Sequence, residues 1–532
     1  MTTFRTSILL AGLLLWTGTA FAQEESLDEL LEGLEESPSS QEESVDDLLG
    51  GFEEPEASTS ELLDGFEEPA ETPDSLEGLL EGFEENSSVV VTETDTLSLP
   101  TGLSGSTGIN ISYAYAQTEP NLDKPDYRGL RKLRLYLQLE YQYDLTPNTR
   151  FFVDGKASRD LAYQFLDREE YSEDYLQAYE QEIELRETFV STSLGSNIDL
   201  KFGRQIKVWG KADLLSVVDV LNPTDSREPG LIDIDDSRLP VTMTQLDYYT
   251  GDWNLNLVVI HEIRFGKSPE FGSEFYFADA ESPPEEIPTE TEYGAALNGH
   301  FTGWDLSFYA ASVYNDQGRA DGSFQPMLNL FPDRVVHDRL QIVGTAFSAV
   351  EGSWIMRGEI ADVQGLRFTN FSKTFSRQDH VLGVEYSGIP DAALSAEVSW
   401  EWIREFEQAL EEVPNEQEQS TVTTAIRFQQ DFLNQTLSFN LIAFQFGEFG
   451  SSGSSQRIGL DYDWADGLNV GGGVLLYHEG DTSYSKRIAN NDRLFADSEG
   501  WSRVFDDIPN KYFFSWFASL DWNYFCPGRI TR

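Results

Sequence analysis

The sequence predicts an all-β fold, a transmembrane antiparallel up-and-down barrel of about 16 strands that carries a disordered acidic N-terminal tail. Three observations predict it. Period-two apolar runs about ten residues long recur from about Ser104 to Phe525, the length a tilted strand needs to cross a bilayer. The connections alternate between short turns such as Thr146-Pro147-Asn148 and long acidic excursions. The last run, Tyr512 to Phe525, sets Phe514, Trp516, Ala518, Leu520, Trp522 and Tyr524 on one face. A soluble sandwich would hide such faces against a second sheet and use strands of about five or six residues; a membrane barrel turns them to lipid around a polar lumen.

The chain opens with Arg5, an apolar run from Ile8 to Trp16 and the triplet Ala20-Phe21-Ala22, which together fit an export signal over residues 1–22. No later run is long and apolar enough for a membrane helix, so any passage through a membrane rests on strands. The formal charge of -57 argues against nucleic acid as a partner. Cys526 is the single cysteine, which removes any disulfide framework or cysteine metal site, and no cofactor is implied.

Residues 23–97 form the tail. From Gln23 to Thr96 there are 26 acidic residues and no Lys or Arg, a composition that cannot bury enough apolar surface to offset chain entropy. Four copies of one short motif recur within it: LDELLEGLEE from Leu27, VDDLLGGFEE from Val45, ELLDGFEE from Glu61 and LEGLLEGFEE from Leu76. Their apolar residues, Leu30, Leu31 and Leu34, Leu48, Leu49 and Phe52, Leu62, Leu63 and Phe66, and Leu79, Leu80 and Phe83, would make one or two helical turns on a partner's groove. Repetition of weak sites would raise avidity. The alternative is an acidic spacer extended by duplication.

The barrel is assigned to residues 98–525, with 526–532 as a short C-terminal extension. Its clearest strand runs from Leu133 to Tyr143, where leucines and tyrosines alternate with Arg134, Tyr136, Gln138, Glu140 and Gln142. The same alternation marks Trp253 to Val259, Trp304 to Ala310, Leu394 to Trp402, Leu437 to Ala443 and Ile458 to Trp464. Four stretches read as outer loops: Leu161 to Glu182, Glu270 to Glu292, Glu405 to Gln419 and Asp481 to Asn510. The aromatic ending is similar to the last strand by which bacterial outer-membrane barrels are recognised for insertion, which implies outer-membrane lipid and the insertion machinery as partners.

One segment is neither strand nor tail. The row Ile198, Leu200, Phe202, Ile206, Val208 reads as strand, and strand character resumes at Val241; between them lie some thirty residues dense in charge and turn formers. In a barrel such a segment must fold over a mouth or into the lumen. Lys207, Trp209, Lys211, Arg227 and Arg238 then face Asp213, Asp219, Asp225, Asp233, Asp235 and Asp236 as candidates for a constriction with a transverse field. Equally, those pairs would serve to hold a folded loop. Arg204 shares the lipid-facing parity of the row, which requires the strand to be near an interface or to have ended there. The run Asp233-Ile234-Asp235-Asp236 lacks the glycine and terminal glutamate of a calcium loop and reads as a solvated turn.

The segment Trp209-Gly210-Lys211-Ala212-Asp213, followed by Asn222-Pro223-Thr224-Asp225, resembles a motif of a largely uncharacterised outer-membrane barrel family often encoded beside RND-type exporters. The resemblance implies an outer-membrane location in a Gram-negative bacterium, with the tail in the periplasm and a component of an RND-type system as its partner. The function expected is a channel or export component for small cationic, neutral or apolar molecules, since the charge of about -32 from residue 97 onward disfavours an anion-selective pore. Two alternatives stand: an anchor whose repeats bind a periplasmic partner, and a rim-sited hydrolase served by one of the scattered histidines, His261, His300, His337, His380 or His478. No HExxH, GxSxG or phosphate-loop motif accompanies those histidines, and Gly471-Gly472-Gly473 reads as strand glycine, so the chain is not expected to be an enzyme.

Overall fold

A computed structural model describes residues 102–502, apart from 120–124, 233, 277, 279, 326 and 328–330. The signal, the tail with its repeats and docking leucines, and the aromatic run Tyr512 to Phe525 lie outside the described residues. Within them are 21 strands: 18 form one antiparallel sheet that closes on itself, and three short ones in the loops, β8 (Glu285–Glu286), β11 (Arg319–Asp321) and β12 (Arg334–Val336), form a small sheet of their own. Each barrel strand pairs with its neighbours in barrel sequence, and β1 (Leu103–Ala114) pairs with both β2 (Gly129–Thr146) and β21 (Arg493–Ser502). Closure leaves no free edge, the condition a sheet must meet in hydrocarbon.

The alternation seen in sequence is the alternation of the wall. Leu139, Leu257, Phe308, Val398, Trp400, Leu460 and Tyr462 are exposed on the outside. Lys132, Asp154 and Asn256, at the opposite parity, are buried within. An apolar exterior on a closed barrel is the architecture of a membrane-spanning protein. Eight hairpins are closed by turns of two to five residues at one end. All the longer connections lie at the other, including the stretches Leu161 to Glu182, Glu270 to Glu292 and Glu405 to Gln419 expected as outer loops. We refer to the turn end and the loop end.

The barrel has 18 strands, close to the expected number of about 16. One expectation is corrected. The stretch Asp481 to Asn510, expected as a loop, contains β21, which closes the barrel against β1 in register from Gly105 opposite Ser502 to Ala114 opposite Arg493. The reason is composition: the outward face of β21 is Leu494, Ala496, Ser498 and Gly500, too slight in apolar bulk to register as a period-two run.

Candidate functional site: the inward segment

β5 (Ile198–Gln205) and β6 (Val241–Thr250) are partners whose facing ends, Gln205 and Val241, are opposite one another. The chain therefore leaves the wall at Gln205 and returns beside it, having spent Ile206 to Pro240 inside. Ile206 and Val208 accordingly belong to coil and not to the strand row. Arg204 sits at the rim, where its guanidinium meets Glu262 at 2.6 Å just beyond β7 (Trp253–Ile260).

Two contrasting contacts hold the segment. On one side it packs on an apolar core. Trp209, Val218 and Leu221 are buried against Met243, Val258, Ile260, Ala296, Tyr309, Ile342, Ala361 and Val363, inward residues of the wall from β6 to β14 (Trp354–Leu366). The Trp209 ring lies 5.1 Å from that of Tyr309. Glycines make the close approach feasible: a Cβ on Gly294 would stand 2.7 Å from the Trp209 ring, and one on Gly344 would stand 2.6 Å from Val218.

Buried carboxylates complete the hold. Glu359 on β14 accepts from the backbone N–H groups of Lys211, Ala212 and Val217 at 2.5, 2.8 and 2.9 Å, and from the Ser216 hydroxyl at 2.9 Å. Glu397 on β16 (Ala392–Arg404) accepts from the N–H groups of Asp213, Leu214 and Leu215 at 2.6, 2.9 and 2.9 Å. A run of backbone donors curled round a carboxylate is an anion nest, here filled by the protein's own wall.

On its other side the segment faces charge. Glu228 meets Lys132 at 2.6 Å and Arg134 at 3.1 Å on β2. Burial opposes ionisation of Glu228, yet these two cations hold its carboxyl down at about 2. Asp236 meets Lys156 at 3.4 Å and Arg186 at 3.1 Å, on β3 (Thr149–Asp160) and β4 (Gln181–Leu194). Arg227 joins Asp225 at 2.6 Å and Glu182 at 2.9 Å. Between the segment and this wall is a cavity of about 280 Å³, whose lining also takes in β19 (Gly453–Ala465) and β21 through Arg457, Phe495, Asp497 and Glu499.

The residues singled out in sequence thus divide. Lys211 pairs with Asp305 at 3.1 Å, Asp213 with Arg427 at 3.2 Å, and Arg238 with Asp219 at 2.8 Å, so these charges hold the loop. Burial pushes the Asp219 carboxyl above its ordinary value, against the pull of the Trp209 N–H and Arg238. Trp209 is packed away from open space, and the Lys207 ammonium has no ion pair among the described residues. Asp225, Arg227 and Asp236 line the cavity. Asp233 and the side chain of Asp235 lie outside the described residues.

Sequence reasoning missed Glu359, Glu397 and the cations of β2 to β4. Their signal was available: each is a charge at the inward parity of a strand, most of them well away from the turns.

At the loop end lies a second buried cluster. Tyr163, Tyr171, Tyr175 and Tyr179, from the connection between β3 and β4, bury one another. Nearby Glu274 is buried between Arg131 and Arg493, 3.5 Å from each. Burial opposes its charge, but the two guanidinium groups hold its carboxyl below the usual range. The histidines lie apart: His337 bonds Glu285 at 2.8 Å, His300 bonds Asp305 at 3.1 Å and His261 bonds the Thr244 hydroxyl at 2.8 Å. Among the described residues no group of three potential metal ligands gathers.

The family model described as "Protein of unknown function (DUF1302)" matches residues 120–500, which take in the inward segment and nearly the whole barrel. The chain belongs to this family. For the DUF1302 chain, several solved outer-membrane proteins are similar in fold. OccAB3 of Acinetobacter baumannii is 10% identical, with 75% of this chain and 99% of that one covered and a TM-score of 0.45. OccK8 (OprE) of Pseudomonas aeruginosa is 12% identical over 75% and 98%, with a TM-score of 0.43. OpdK of the same organism, solved with vanillate, is 10% identical over 75% and 98%, with a TM-score of 0.42. No curated protein matches the DUF1302 chain in sequence.

Proposed function

We propose that this chain is an outer-membrane channel for small molecules, in which solutes pass between the inward segment and the wall formed by β1 to β4, β19 and β21. The observation that carries the reading is the two-sided mounting of the segment: an apolar core fixes it to one wall, and ion pairs tie it to the other around a charged cavity. A segment held in this way narrows the lumen, and the cavity between the ion pairs is the space left for passage. Small cationic, neutral or apolar cargo fits the lumen near the turn end. There Asp247, Asp431, Asp461 and Asp463 take hydrogen bonds from Asn, Gln and Ser side chains and have no cationic partner among the described residues. Uncompensated carboxylates raise the local concentration of cations.

The chain enters β1 at the turn end, the end that in bacterial barrels faces the periplasm. On that reading the acidic tail lies in the periplasm and docks a protein there, a component of an RND-type export system being the proposed partner. Making Leu30, Leu31, Leu48, Leu49, Leu62, Leu63, Leu79 and Leu80 polar should then abolish capture of that component and leave conductance intact. The channel itself is tested by single-channel recording of the refolded mature chain, with and without residues 23–96, at two salt concentrations. Discrete, cation-leaning steps are expected. A barrel that inserts and stays electrically silent would overturn the channel reading in favour of an anchor.

A further inference from the structure

We infer that the cavity beside the inward segment binds a small zwitterion, with its carboxylate on Arg457 and its ammonium group on Glu499. The role of this site in passage rests on the channel reading above; binding itself does not.

Around the cavity, Lys132 and Arg134 are matched by Glu228, Lys156 and Arg186 by Asp236, and Arg227 by Asp225 and Glu182. Glu184 is held by Arg264 and Lys267, and Asp497 too has a partner. Two lining charges stand outside this matching. Arg457 faces the lumen from β19, while Leu460, at the opposite parity of the same strand, is exposed on the far side of the wall. Its guanidinium lies over the Phe495 ring, 4.6 Å from the centroid, and has no ion pair among the described residues. A guanidinium backed by a ring keeps its N–H edge free for a carboxylate. Glu499, on β21, has the Tyr136 hydroxyl beside it and no cationic partner among the described residues.

A ligand bearing one charge would satisfy one of these groups and leave the other desolvated and unmatched; a ligand bearing both satisfies both. Their spacing sets its length. From Phe495, where the guanidinium rests, to Glu499 is four residues of β21, about 13 Å of strand. Allowing for the reach of the glutamate, the two charges of the ligand should be separated by roughly 7–10 Å, the span of a linear ω-amino acid or a short peptide. Leu231, Ile232 and Leu239 supply apolar lining along the way, and a volume of about 280 Å³ admits one such molecule.

The test is equilibrium dialysis of the refolded mature chain with radiolabelled 6-aminohexanoate, with hexanoate and hexylammonium as competitors. We expect 6-aminohexanoate to bind, each singly charged competitor to be at least tenfold weaker, and R457Q and E499Q each to weaken binding at least tenfold. The exchanged pair R457E/E499R should recover part of the loss, because the ligand can reverse. Heat-modifiable migration in gels reports that each variant is a folded barrel. Absence of binding, equal binding of the three compounds, or unchanged binding by the folded single variants would overturn the proposal. Binding intact in a barrel that carries no current would instead remove the channel reading and leave this one standing.

Discussion

The Glu359 carboxylate, rooted in the barrel wall, accepts the backbone N–H of Val217 at 2.9 Å while its other oxygen holds those of Lys211 and Ala212. A glutamine there can present one accepting oxygen and must turn an NH₂ group toward backbone donors. Glu359→Gln and Glu397→Gln should therefore each loosen the segment, by about 1–3 kcal/mol for the donors left without partners. The expected readout is faster proteolysis between Ile206 and Pro240 and a larger, noisier single-channel conductance, with the two substitutions together exceeding either alone. Unchanged proteolysis in the double variant would contradict the mounting described here.

The apolar half of the mounting makes a separate prediction. Val218 is buried, and the absent side chain of Gly344 is what admits it. A methyl group at Gly344 would stand 2.6 Å from Val218 and 3.0 Å from the Ile360 carbonyl, so Gly344→Ala must displace either the segment or the wall. Overpacking of this kind is typically destabilising by about 1–3 kcal/mol. Trp209→Ala should destabilise by about 3–5 kcal/mol through the lost ring and the cavity it leaves against Tyr309. Urea unfolding followed by tryptophan fluorescence measures the first, and far-ultraviolet circular dichroism the second. Relief of the Gly344→Ala defect by Val218→Ala would show that the clash is between these two positions.

How much of this was legible in the sequence depends on how far each property is local. The barrel was readable from Leu133 to Tyr143 and its like, because lipid on one side and lumen on the other impose a period of two on any spanning strand. The inward segment was readable as an interruption of that period between Gln205 and Val241. What it rests on was not. Glu359 and Glu397 lie more than 140 residues from the N–H groups they bind, and nothing local in the sequence pairs a wall carboxylate with a distant turn. Trp209 looked like a lining residue because an aromatic in a charged stretch suggests a constriction; only the small residues Gly294 and Ala296 of the facing wall show that it is core. The closing strand was missed for the opposite reason, since small and polar outward residues at Ser498 and Gly500 erase the periodic signal while the backbone pairing persists.

Acid should loosen the charged side of the segment before the rest of the barrel. Glu228 is held at about 2 by Lys132 and Arg134 against the opposing effect of burial, well below the usual carboxylate range. A carboxyl depressed in the folded state contributes stability that is fully present above its unfolded value, about 4.3, and is lost as pH falls toward 2. Glu228→Gln leaves two buried cations without their anion and should be destabilising by about 3 kcal/mol or more at pH 7. The stability gap between the parent chain and Glu228→Gln should then narrow steadily below about pH 4.5 and nearly vanish at pH 2. A gap that stays constant over that range would mean that Glu228 is not the ionised partner described here.

The identity of the closing strand is open to a chemical test, because two candidates predict different neighbours for β1. In the structure Ile109 stands opposite Ser498, and Asn110 opposite Asp497. Opposed residues in an antiparallel pair have Cβ atoms about 4.5–5.5 Å apart, just above the roughly 3.5–4.5 Å that a disulfide spans, so a small inward shift of the two backbones closes the bond. With the native Cys526 replaced by serine, Ile109→Cys paired with Ser498→Cys should cross-link on oxidation in the folded barrel and yield a band whose mobility changes on reduction. A cysteine at Phe514 or Trp516 should not cross-link to position 109. If it does so in preference to position 498, the aromatic run and not Arg493–Ser502 closes the barrel, and the cavity loses the wall that supplies Phe495 and Glu499.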